Sequence, residues 1–315
     1  MIQTFNLSKS FGSFTAVNGV NLEIRPGEIY GFLGPNGAGK TTTLMMILGV
    51  LKPSQGTVQI FGQPLERDPF SIKRRIGVVV EAQNYYDDMT PWEYLMFFGR
   101  LYQVKGAEAR AQMLLERVGL WKWRNVLLSG FSSGMQRKLS MVRALLHSPD
   151  ILILDEPVAN LDPYGIIQIR ELLAEEHAAG RTILISSHIL SEVERMASRI
   201  GILAHGRLLF EDTMNNLKRR SGGRRRIEIE LADPVNGIAK TLQSLSFVDE
   251  LKQNGNQLTL FTQGDRDYRS DVGRALTAQG AVVQGMRSVE PTLEEAFITI
   301  TEEHVQDWAR SKNGS

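Results

Sequence analysis

A glycine-rich segment between two apolar runs has the residue types and spacing of a phosphate-binding loop. The pattern G-x-x-x-x-G-K-[ST] is met by Gly34, Gly39, Lys40 and Thr41. An apolar run before the segment (residues 28–33) predicts a buried strand, and an apolar run after it (residues 43–50) predicts a helix. The whole segment consists of Gly34, Pro35, Asn36, Gly37, Ala38, Gly39, Lys40, Thr41 and Thr42.

Each residue type in this segment has a chemical role. Glycines let consecutive backbone N–H groups turn inward around an anion, and the following helix adds the partial positive charge of its N-terminus. Lys40 supplies a full charge for the β- and γ-phosphates, and the Thr41 hydroxyl is a hard oxygen ligand for Mg²⁺. A turn that binds nothing would not need strand, loop and helix in register, so we predict that the chain binds a nucleoside triphosphate.

Two adjacent carboxylates, Asp155 and Glu156, end the continuous apolar run 151–154. Such a run predicts a strand buried on both faces, where unpaired charges are costly. With a phosphate loop in the same chain, we expect Asp155 to hold Mg²⁺, directly or through water, and Glu156 to orient or deprotonate the attacking water.

Further candidate residues follow other predicted strands, cap a predicted helix or lie in a predicted loop. Glu81 ends the apolar strand 76–80, and His188 follows the strand 181–186. Ser132 is a natural N-cap for a helix running to about residue 147, which makes a weak anion site when taken alone. Phe11 and Phe14 lie in the first predicted loop. Either both are core residues, or Phe11 stacks on a nucleotide base.

Composition limits the classes of protein to consider. The 315 residues are 42% hydrophobic, carry a net charge of +1 and include no cysteine. Disulfides and thiolate metal sites are therefore excluded, and a protein that coats nucleic acid is not expected. The sequence contains no run of about 18 apolar residues, so no membrane-spanning segment is predicted.

Strands that alternate with helices predict an α/β fold with a largely parallel core sheet, whose functional groups gather at the carboxyl ends of the strands. Residues 84–147 form a helical subdomain with an aromatic-rich beginning. Part of its aromatic excess is expected to be core, and the rest could dock a helix of another protein. We predict that this first domain covers residues 1–217.

A basic stretch, residues 218–226, is predicted to be a solvated hinge, with contact to anionic lipid as the alternative. Beyond it, the expected order from residue 227 is β-α-β-β-α-β, a ferredoxin-like α+β motif with a last helix from Pro291. No residue cluster in this small C-terminal domain, residues 227–315, suggests chemistry.

The order of these motifs resembles the ATP-binding subunits of ABC transporters, over roughly residues 1–217. The loop at Gly34–Thr42 is similar to Walker A, and the run ending at Glu156 is similar to Walker B. The signature is matched by Ser132, Ser133, Gly134 and Met135, the D-loop by residues 159–162 with Asp162, and the switch histidine by His188.

The resemblance implies a P-loop ABC ATPase domain with antiparallel N-terminal strands beside the parallel sheet. It also implies the cofactors ATP and Mg²⁺, base stacking by Phe11, and a Q-loop at Glu81 that would add a metal ligand. Catalysis would rest on Lys40, Glu156 and His188. Each ATP would lie between one subunit's phosphate loop and the signature and D-loop of the other subunit.

Three residues depart from the usual family pattern: Glu81 stands where glutamine is common, Ser133 replaces a glycine, and Met135 replaces a glutamine. Gln83 is an alternative residue for the Q-loop. These departures, with a small domain after a hinge, resemble the ATPases of drug, bacteriocin and polysaccharide efflux.

The leading hypothesis is an ATPase that powers a membrane exporter by ATP-driven dimer closure. It would form a homodimer or heterodimer, bind an integral membrane permease through its helical subdomain, bind no nucleic acid, and lie at the cytoplasmic face of the membrane. A soluble ABC ATPase acting on ribosomes or nucleic acid is the alternative, although only one phosphate loop is present. A binding module with little turnover is disfavoured by the intact Asp155–Glu156 pair.

Overall fold

The computed structural model describes residues 1–80, 86–220, 225–234, 237–262, 266–289, 292–295, 297–298 and 300. These residues divide into two compact units, Met1–Met214 and Asn215–Ser315. Among the described helices, none is both long and apolar enough to cross a membrane.

The first unit begins with strands that flank the phosphate loop. In chain order, the first half contains β1 Ile2–Phe11, β2 Phe14–Ile24, β3 Ile29–Leu33, α1 Lys40–Ile47, β4 Gln55–Ile60, β5 Gln63–Pro64, α2 Pro69–Lys73 and β6 Ile76–Val79. The second half contains α3 Pro91–Leu101, α4 Ala107–Arg117, α5 Ser133–Leu145, β7 Ile151–Asp155, α6 Pro163–Ala178, β8 Thr182–Ser187, α7 Leu190–Met196, β9 Arg199–Ala204 and β10 Arg207–Thr213.

Two sheets enclose the first helix of this unit. An antiparallel sheet has the order β2-β1-β4-β5, and a six-stranded sheet has the order β10-β9-β3-β8-β7-β6. In the second sheet the strands from β9 to β6 are parallel, and β10 pairs antiparallel with β9. A single apolar cluster joins α1 to residues of both sheets, which fixes α1 between them. The predicted α/β fold with a parallel core and antiparallel N-terminal strands is confirmed.

The three central strands of the parallel sheet are buried throughout. Every residue of β3, β7 and β8 is buried, as expected for strands covered on both faces. Their carboxyl ends lie at one edge of the sheet, so the residues that follow β3 and β7 come close together. This arrangement brings the phosphate loop beside Asp155.

The helical subdomain begins with a capping box. Thr90 caps α3 by accepting a hydrogen bond from the backbone of Glu93, and the Glu93 carboxylate accepts from the Thr90 backbone. Tyr94 and Leu95 are buried, whereas Phe97 and Leu101 are 42% and 58% exposed. The aromatic excess is therefore divided between core and surface.

The second unit is a small α+β domain. After α8 Met214–Arg220, its elements are β11 Arg225–Leu231, α9 Ile238–Gln243, β12 Val248–Asn254, β13 Gln257–Thr262, α10 Arg269–Ala278 and β14 Val283–Val289. The sheet order is β12-β13-β11-β14 and all its pairs are antiparallel, as in a ferredoxin-like domain. The predicted β-α-β-β-α-β order is present.

The basic stretch that the sequence predicts as a hinge, residues 218–226, contains regular structure where it is described. Helix α8 extends to Arg220, and strand β11 begins at Arg225. The sequence of this stretch is polar and has no hydrophobic periodicity. The end of α8 and the start of β11 could therefore not be predicted from it. Pro291, where the last helix is expected to begin, lies outside the described residues, and residues 293–295 that follow it are helical.

Candidate ATP-binding and catalytic site

The loop between β3 and α1 is shaped by glycines at positions of close approach. A Cβ on Gly34 would lie 2.3 Å from the backbone oxygen of Leu203, and a Cβ on Gly39 would lie 2.6 Å from that of Ala16. Gly39 also has a φ of +103°, in the region that favours glycine. A Cβ on Gly37 would meet nothing within 4 Å, so the open side of the loop has room for a ligand.

Lys40 is the first residue of α1, three residues earlier than the helix start predicted from the apolar run. Its side chain is buried and curls back over the loop. Lys40 Nζ donates to the backbone oxygens of Gly34 at 2.7 Å and Pro35 at 3.3 Å. An ammonium group therefore lies against the loop, where bound phosphate oxygens would be better acceptors than these carbonyls.

Asp155 and Thr41 are joined directly at the end of the parallel sheet. Thr41 Oγ1 donates to Asp155 Oδ2 at 3.0 Å, and Ser186 Oγ donates to Asp155 Oδ1 at 2.5 Å. Asp155 is 3% exposed. The neighbouring strands β7 and β8 place Asp155 opposite Ser186 in register, so the carboxylate is fixed while one oxygen faces Thr41.

Glu156 turns away from Asp155 towards the end of β8. Its φ of +52° lies in the left-handed region, which is uncommon for a residue with a side chain. Glu156 Oε2 accepts from Ser187 Oγ at 3.1 Å, and Oε1 accepts from His188 Nδ1 at 2.8 Å. The buried carboxylate thus has a neighbouring imidazole whose side chain is 52% exposed.

An open cleft of 480 Å³ collects most of the candidate residues. Two exposed aromatic rings, Phe11 (51%) and Phe14 (63%), form one part of its wall. The interpretation of these two residues as core is therefore wrong, because they pair with each other at the turn of the β1–β2 hairpin and are exposed there. The lining comprises Phe11, Phe14, Ala16, Asn36, Gly37, Ala38, Gly39, Lys40, Thr41, Thr42, Asp155, Glu156 and His188.

The signature and D-loop residues form a second group. Ser132 caps α5 by accepting from the Met135 backbone N–H at 3.2 Å, and Asp162 caps α6 by accepting from Gly165 N at 2.7 Å. A Cβ on Gly134 would lie 3.1 Å from the backbone oxygen of Asn160, so the two segments are closely packed. The described lining of the 480 Å³ cleft does not include this group.

Some predicted residues lie outside the described part of the chain, and some residues of the site were not predicted. Glu81 and Gln83 lie outside the described residues. Conversely, Ser186 holds Asp155, Ser187 holds Glu156, and Phe14 lines the cleft, although none of the three was predicted as a site residue. The position of both serines at the end of a buried strand, just before His188, was the available signal.

Comparisons with protein families agree with this geometry. Residues 17–159 match the family described as ABC transporter, and residues 213–301 match the one described as ATP-binding protein DrrA1-3-like, C-terminal domain.

Similar proteins extend over almost the whole chain. The bacitracin transport ATP-binding protein BcrA of Bacillus licheniformis is 37% identical over 95% of this chain and 97% of its own length. The linearmycin resistance ATP-binding protein LnrL of Bacillus subtilis (strain 168) is 31% identical over 98% of this chain and all of its own length. The Nod factor export ATP-binding protein I of Paraburkholderia xenovorans (strain LB400) is 40% identical over 74% of this chain and 78% of its own.

Solved structures resemble the larger unit. An ATP-binding subunit of an ABC transporter is 31% identical, with a TM-score of 0.67 over 70% of this chain and 93% of that chain. A dimeric ATP-binding cassette, MJ0796, in a post-hydrolysis state bound to ADP and Pi is 27% identical, with a TM-score of 0.63 over 68% of this chain and 99% of its own. The chain belongs to the ATP-binding subunits of ABC transporters, and it binds and hydrolyses ATP as part of a transporter.

Proposed function

We propose that this ATPase powers an exporter and that the 480 Å³ cleft holds ATP with Mg²⁺. The proposal is carried by one observation, the two contacts beside an open phosphate loop: Thr41 with Asp155, and His188 with the adjacent Glu156. The loop glycines and Lys40 would hold the phosphates, and Phe11 would stack on the base.

Magnesium fits the donor chemistry of this edge of the sheet. Thr41 Oγ1 and Asp155 Oδ2, 3.0 Å apart, are hard oxygen donors, the ligands that Mg²⁺ prefers. No group of three or more His, Cys, Asp or Glu side chains that could hold a metal occurs among the described residues. Mg²⁺ commonly uses one or two protein oxygens together with phosphates and water. Glu81 remains the proposed third protein donor.

Glu156 is the proposed group for water activation. Its carboxylate accepts hydrogen bonds from Ser187 at Oε2 and from His188 at Oε1, which orient both oxygens, and the imidazole stays exposed to the cleft. A carboxylate in this setting can accept a proton from a water aligned with the γ-phosphate. His188 would then hold Glu156 in place and lie beside the charge that develops in the transition state.

A second ATPase subunit would complete the site. The signature residues Ser132, Ser133 and Gly134, with Asp162, would contact the ATP held by the partner. A helix N-terminus with a serine hydroxyl can bind an anion, so one triphosphate can bridge two subunits until hydrolysis removes the bridge. A similar cassette is dimeric with ADP and Pi, which supports a dimer. The proposal covers a homodimer and a heterodimer alike.

A groove beside the helical subdomain is the proposed seat of the membrane permease. This groove, of 540 Å³, is lined by Phe70, Leu101 and Tyr102 together with Asp68, Ser71, Lys73 and Arg74. Phe70 is 84% exposed and Leu101 is 58% exposed, and adjacent exposed apolar side chains are typical of an interaction site. Docking to such a partner would place the subunit at the cytoplasmic face of the membrane.

Export as the direction of transport is supported by the names of three relatives, for bacitracin transport, linearmycin resistance and Nod factor export. In this proposal residues 1–217 are the ATPase domain, 218–226 a basic connection and 227–315 an accessory domain.

The test combines activity with partner capture. Purified protein is assayed for ATP hydrolysis, and tagged Glu156→Gln protein is then captured from detergent-solubilised membranes of the source cell in the presence of ATP. A polytopic membrane protein at a fixed ratio is the expected partner. Lys40→Ala is the control for dependence on ATP, because it removes the main charge that faces the phosphates. Recovery with ribosomes or DNA instead would contradict the exporter proposal.

A further inference from the structure

The hydroxyl of Ser187, at the carboxyl end of β8, has two hydrogen-bond partners whose chemistry fixes its direction. The backbone N–H of Ile189 donates to Ser187 Oγ at 3.0 Å, and Ser187 Oγ lies 3.1 Å from Glu156 Oε2. A backbone N–H can only donate, so the hydroxyl accepts from Ile189 and its own hydrogen is directed to the carboxylate. Ser187 is 1% exposed, so bulk water does not compete for this hydrogen.

The two carboxylate oxygens of Glu156 differ in the number of hydrogen bonds that they accept. Oε1 accepts from both the backbone N and the ring Nδ1 of His188, at 3.0 and 2.8 Å. Among the described residues, the side chain that donates to Oε2 is Ser187. Each carboxylate oxygen has about two acceptor sites, so Oε1 is fully used and Oε2 keeps one site. Oε2 is therefore the oxygen with room for a proton from water.

The backbone of Ser187 belongs to the strand pair that leads into the phosphate loop. Parallel pairing of β3 with β8 places Ser187 beside Leu33, the residue directly before Gly34. Every residue of both strands is buried, and close packing leaves such strands little freedom to shift. The left-handed φ of Glu156, +52°, is of a kind that persists only when neighbouring groups support it. Ser187 thus joins the carboxylate to the strand that ends at the loop.

We infer that Ser187 is a positioning residue for ATP hydrolysis, which holds Oε2 of Glu156 towards the attacking water. This inference rests on the proposed function, in which Glu156 accepts a proton from that water. The water oxygen bonds to the γ-phosphorus, the bond from that phosphorus to the bridging oxygen of ADP breaks, and one water proton moves to Oε2. A displaced Oε2 would slow this step without weakening the binding of ATP.

Thr182 provides the matched comparison on the same strand. It is fully buried at the start of β8, and its hydroxyl accepts from the backbone N–H of Gly27 at 2.8 Å. Thr182 is not among the described residues that line the cleft. Removal of its hydroxyl therefore measures the general cost of losing a buried hydrogen bond from β8. A positioning role would make the loss at Ser187 different in kind.

The experiment uses the full-length chain with Ser187→Ala, Ser187→Thr and Thr182→Val. The kcat and KM of ATP hydrolysis, the ATP Kd and the thermal midpoint are measured for each variant. Ser187→Ala is expected to lower kcat by about tenfold or more, as for the loss of a hydrogen bond to a charged group. Its ATP Kd is expected to stay within about twofold, because the phosphate loop is unchanged. Ser187→Thr keeps the hydroxyl and should restore most of kcat, and Thr182→Val should lower only the thermal midpoint.

A double-variant cycle tests whether Ser187 acts through Glu156. Single-turnover rates of ATP hydrolysis are compared for Ser187→Ala, Glu156→Gln and the two substitutions together. Residues that act as one unit give strongly non-additive losses. Ser187→Ala should therefore cause little further loss once Glu156 is replaced, whereas a merely structural effect of the substitution would be the same in both backgrounds.

A lower kcat at unchanged ATP Kd in Ser187→Ala, recovery in Ser187→Thr and a non-additive cycle support the inference. An unchanged kcat, an equal loss in Thr182→Val or an additive cycle overturns it. If Ser187→Ala does not fold, Ser187→Cys, whose thiol is a weak donor, is compared with Ser187→Thr by the same criteria. Wild-type turnover in Glu156→Gln overturns the proposed role of Glu156 as well. Failure to capture a membrane partner overturns the exporter proposal alone.

Discussion

His188 donates two hydrogen bonds to the same carboxylate oxygen of Glu156. Its backbone N lies 3.0 Å from Glu156 Oε1, and its ring Nδ1 lies 2.8 Å from that atom. The left-handed φ of Glu156 turns the carboxylate towards the end of β8, where both donors are available. The second carboxylate oxygen is held by Ser187, so Glu156 is oriented on both sides.

Glu156→Gln is expected to preserve ATP binding and nearly abolish turnover, because an amide keeps the shape of the side chain but cannot accept a proton. General base catalysis contributes about 10²–10⁴-fold, so kcat is expected to fall within that range. ATP is then no longer consumed, and an ATP-bound dimer should accumulate. Steady-state kinetics and light scattering after gel filtration with ATP measure the two effects.

The double variant Lys40→Ala with Glu156→Gln is the control for this dimer. It should remain monomeric in ATP, since the proposed phosphate contact is removed while the Glu156 substitution is kept. A Glu156→Gln protein that hydrolyses ATP at the wild-type rate would show that another group positions the water.

The pairing of Thr41 with Asp155 leads to a prediction about Mg²⁺. Thr41→Val removes the hydroxyl and keeps the shape of the side chain. We expect the Mg²⁺ concentration for half-maximal ATPase rate to rise by about tenfold, within the range for losing a hydrogen bond to a charged group. The measurement is the ATPase rate at saturating ATP across a MgCl₂ titration.

Thr43→Val is the matched control. Thr43 Oγ1 donates to Gly39 O at 2.8 Å, and the residue is fully buried. Thr43 is not among the described residues that line the cleft. This variant should lower the thermal midpoint and leave the Mg²⁺ dependence unchanged. Equal shifts in Mg²⁺ dependence for the two variants would contradict a metal-directed role for Thr41.

Much of this arrangement was predictable from residue patterns because it depends on local rules. The apolar run 151–154 predicted a strand buried on both faces, and every residue of β7 is buried. Because parallel strands end at one edge of a sheet, the Walker A loop and Asp155 were expected to lie together, and Thr41 contacts Asp155 at 3.0 Å.

Other features depend on tertiary contacts that leave little trace in the sequence. The exposure of Phe11 and Phe14 follows from the β1–β2 hairpin, whose strands include both residues beside its turn, where the sequence predicted a loop. The bond from Arg137 to Val80 joins residues 57 positions apart through a backbone carbonyl. A carbonyl has no residue-type signature, so no pattern could indicate this contact.

The two exposed rings at the hairpin give a comparative prediction. Phe11→Ala is expected to raise the Kd for ATP by about fivefold or more, since stacking on a base contributes about 1–3 kcal/mol. Phe14→Ala should have a smaller effect, because the proposed base contact is to Phe11. Nucleotide titrations with both variants test this, and a larger effect in Phe14→Ala would reassign the base to that ring.

The environment of His147 gives a prediction about pH. The ring stacks on Tyr102 with centroids 4.2 Å apart, and Nε2 lies 3.2 Å from Ile76 O. Burial lowers the pKa of His147 from its ordinary value of 6.5; the Ile76 hydrogen bond raises it, and the nearby charges of Arg110 and Arg143 lower it further. The folded protein therefore holds this imidazole neutral where the unfolded chain would protonate it.

The sign of the effect follows from proton linkage. Because the unfolded state binds the proton more tightly, the contribution of His147 to stability is complete above pH 6.5 and is lost as the pH falls through the lower, folded pKa. His147→Gln can still donate to Ile76 O but does not titrate. As the pH is lowered from 7.5, the thermal midpoint of His147→Gln should therefore fall less than that of the wild type. Equal slopes in the two proteins would show that His147 does not contribute to acid sensitivity.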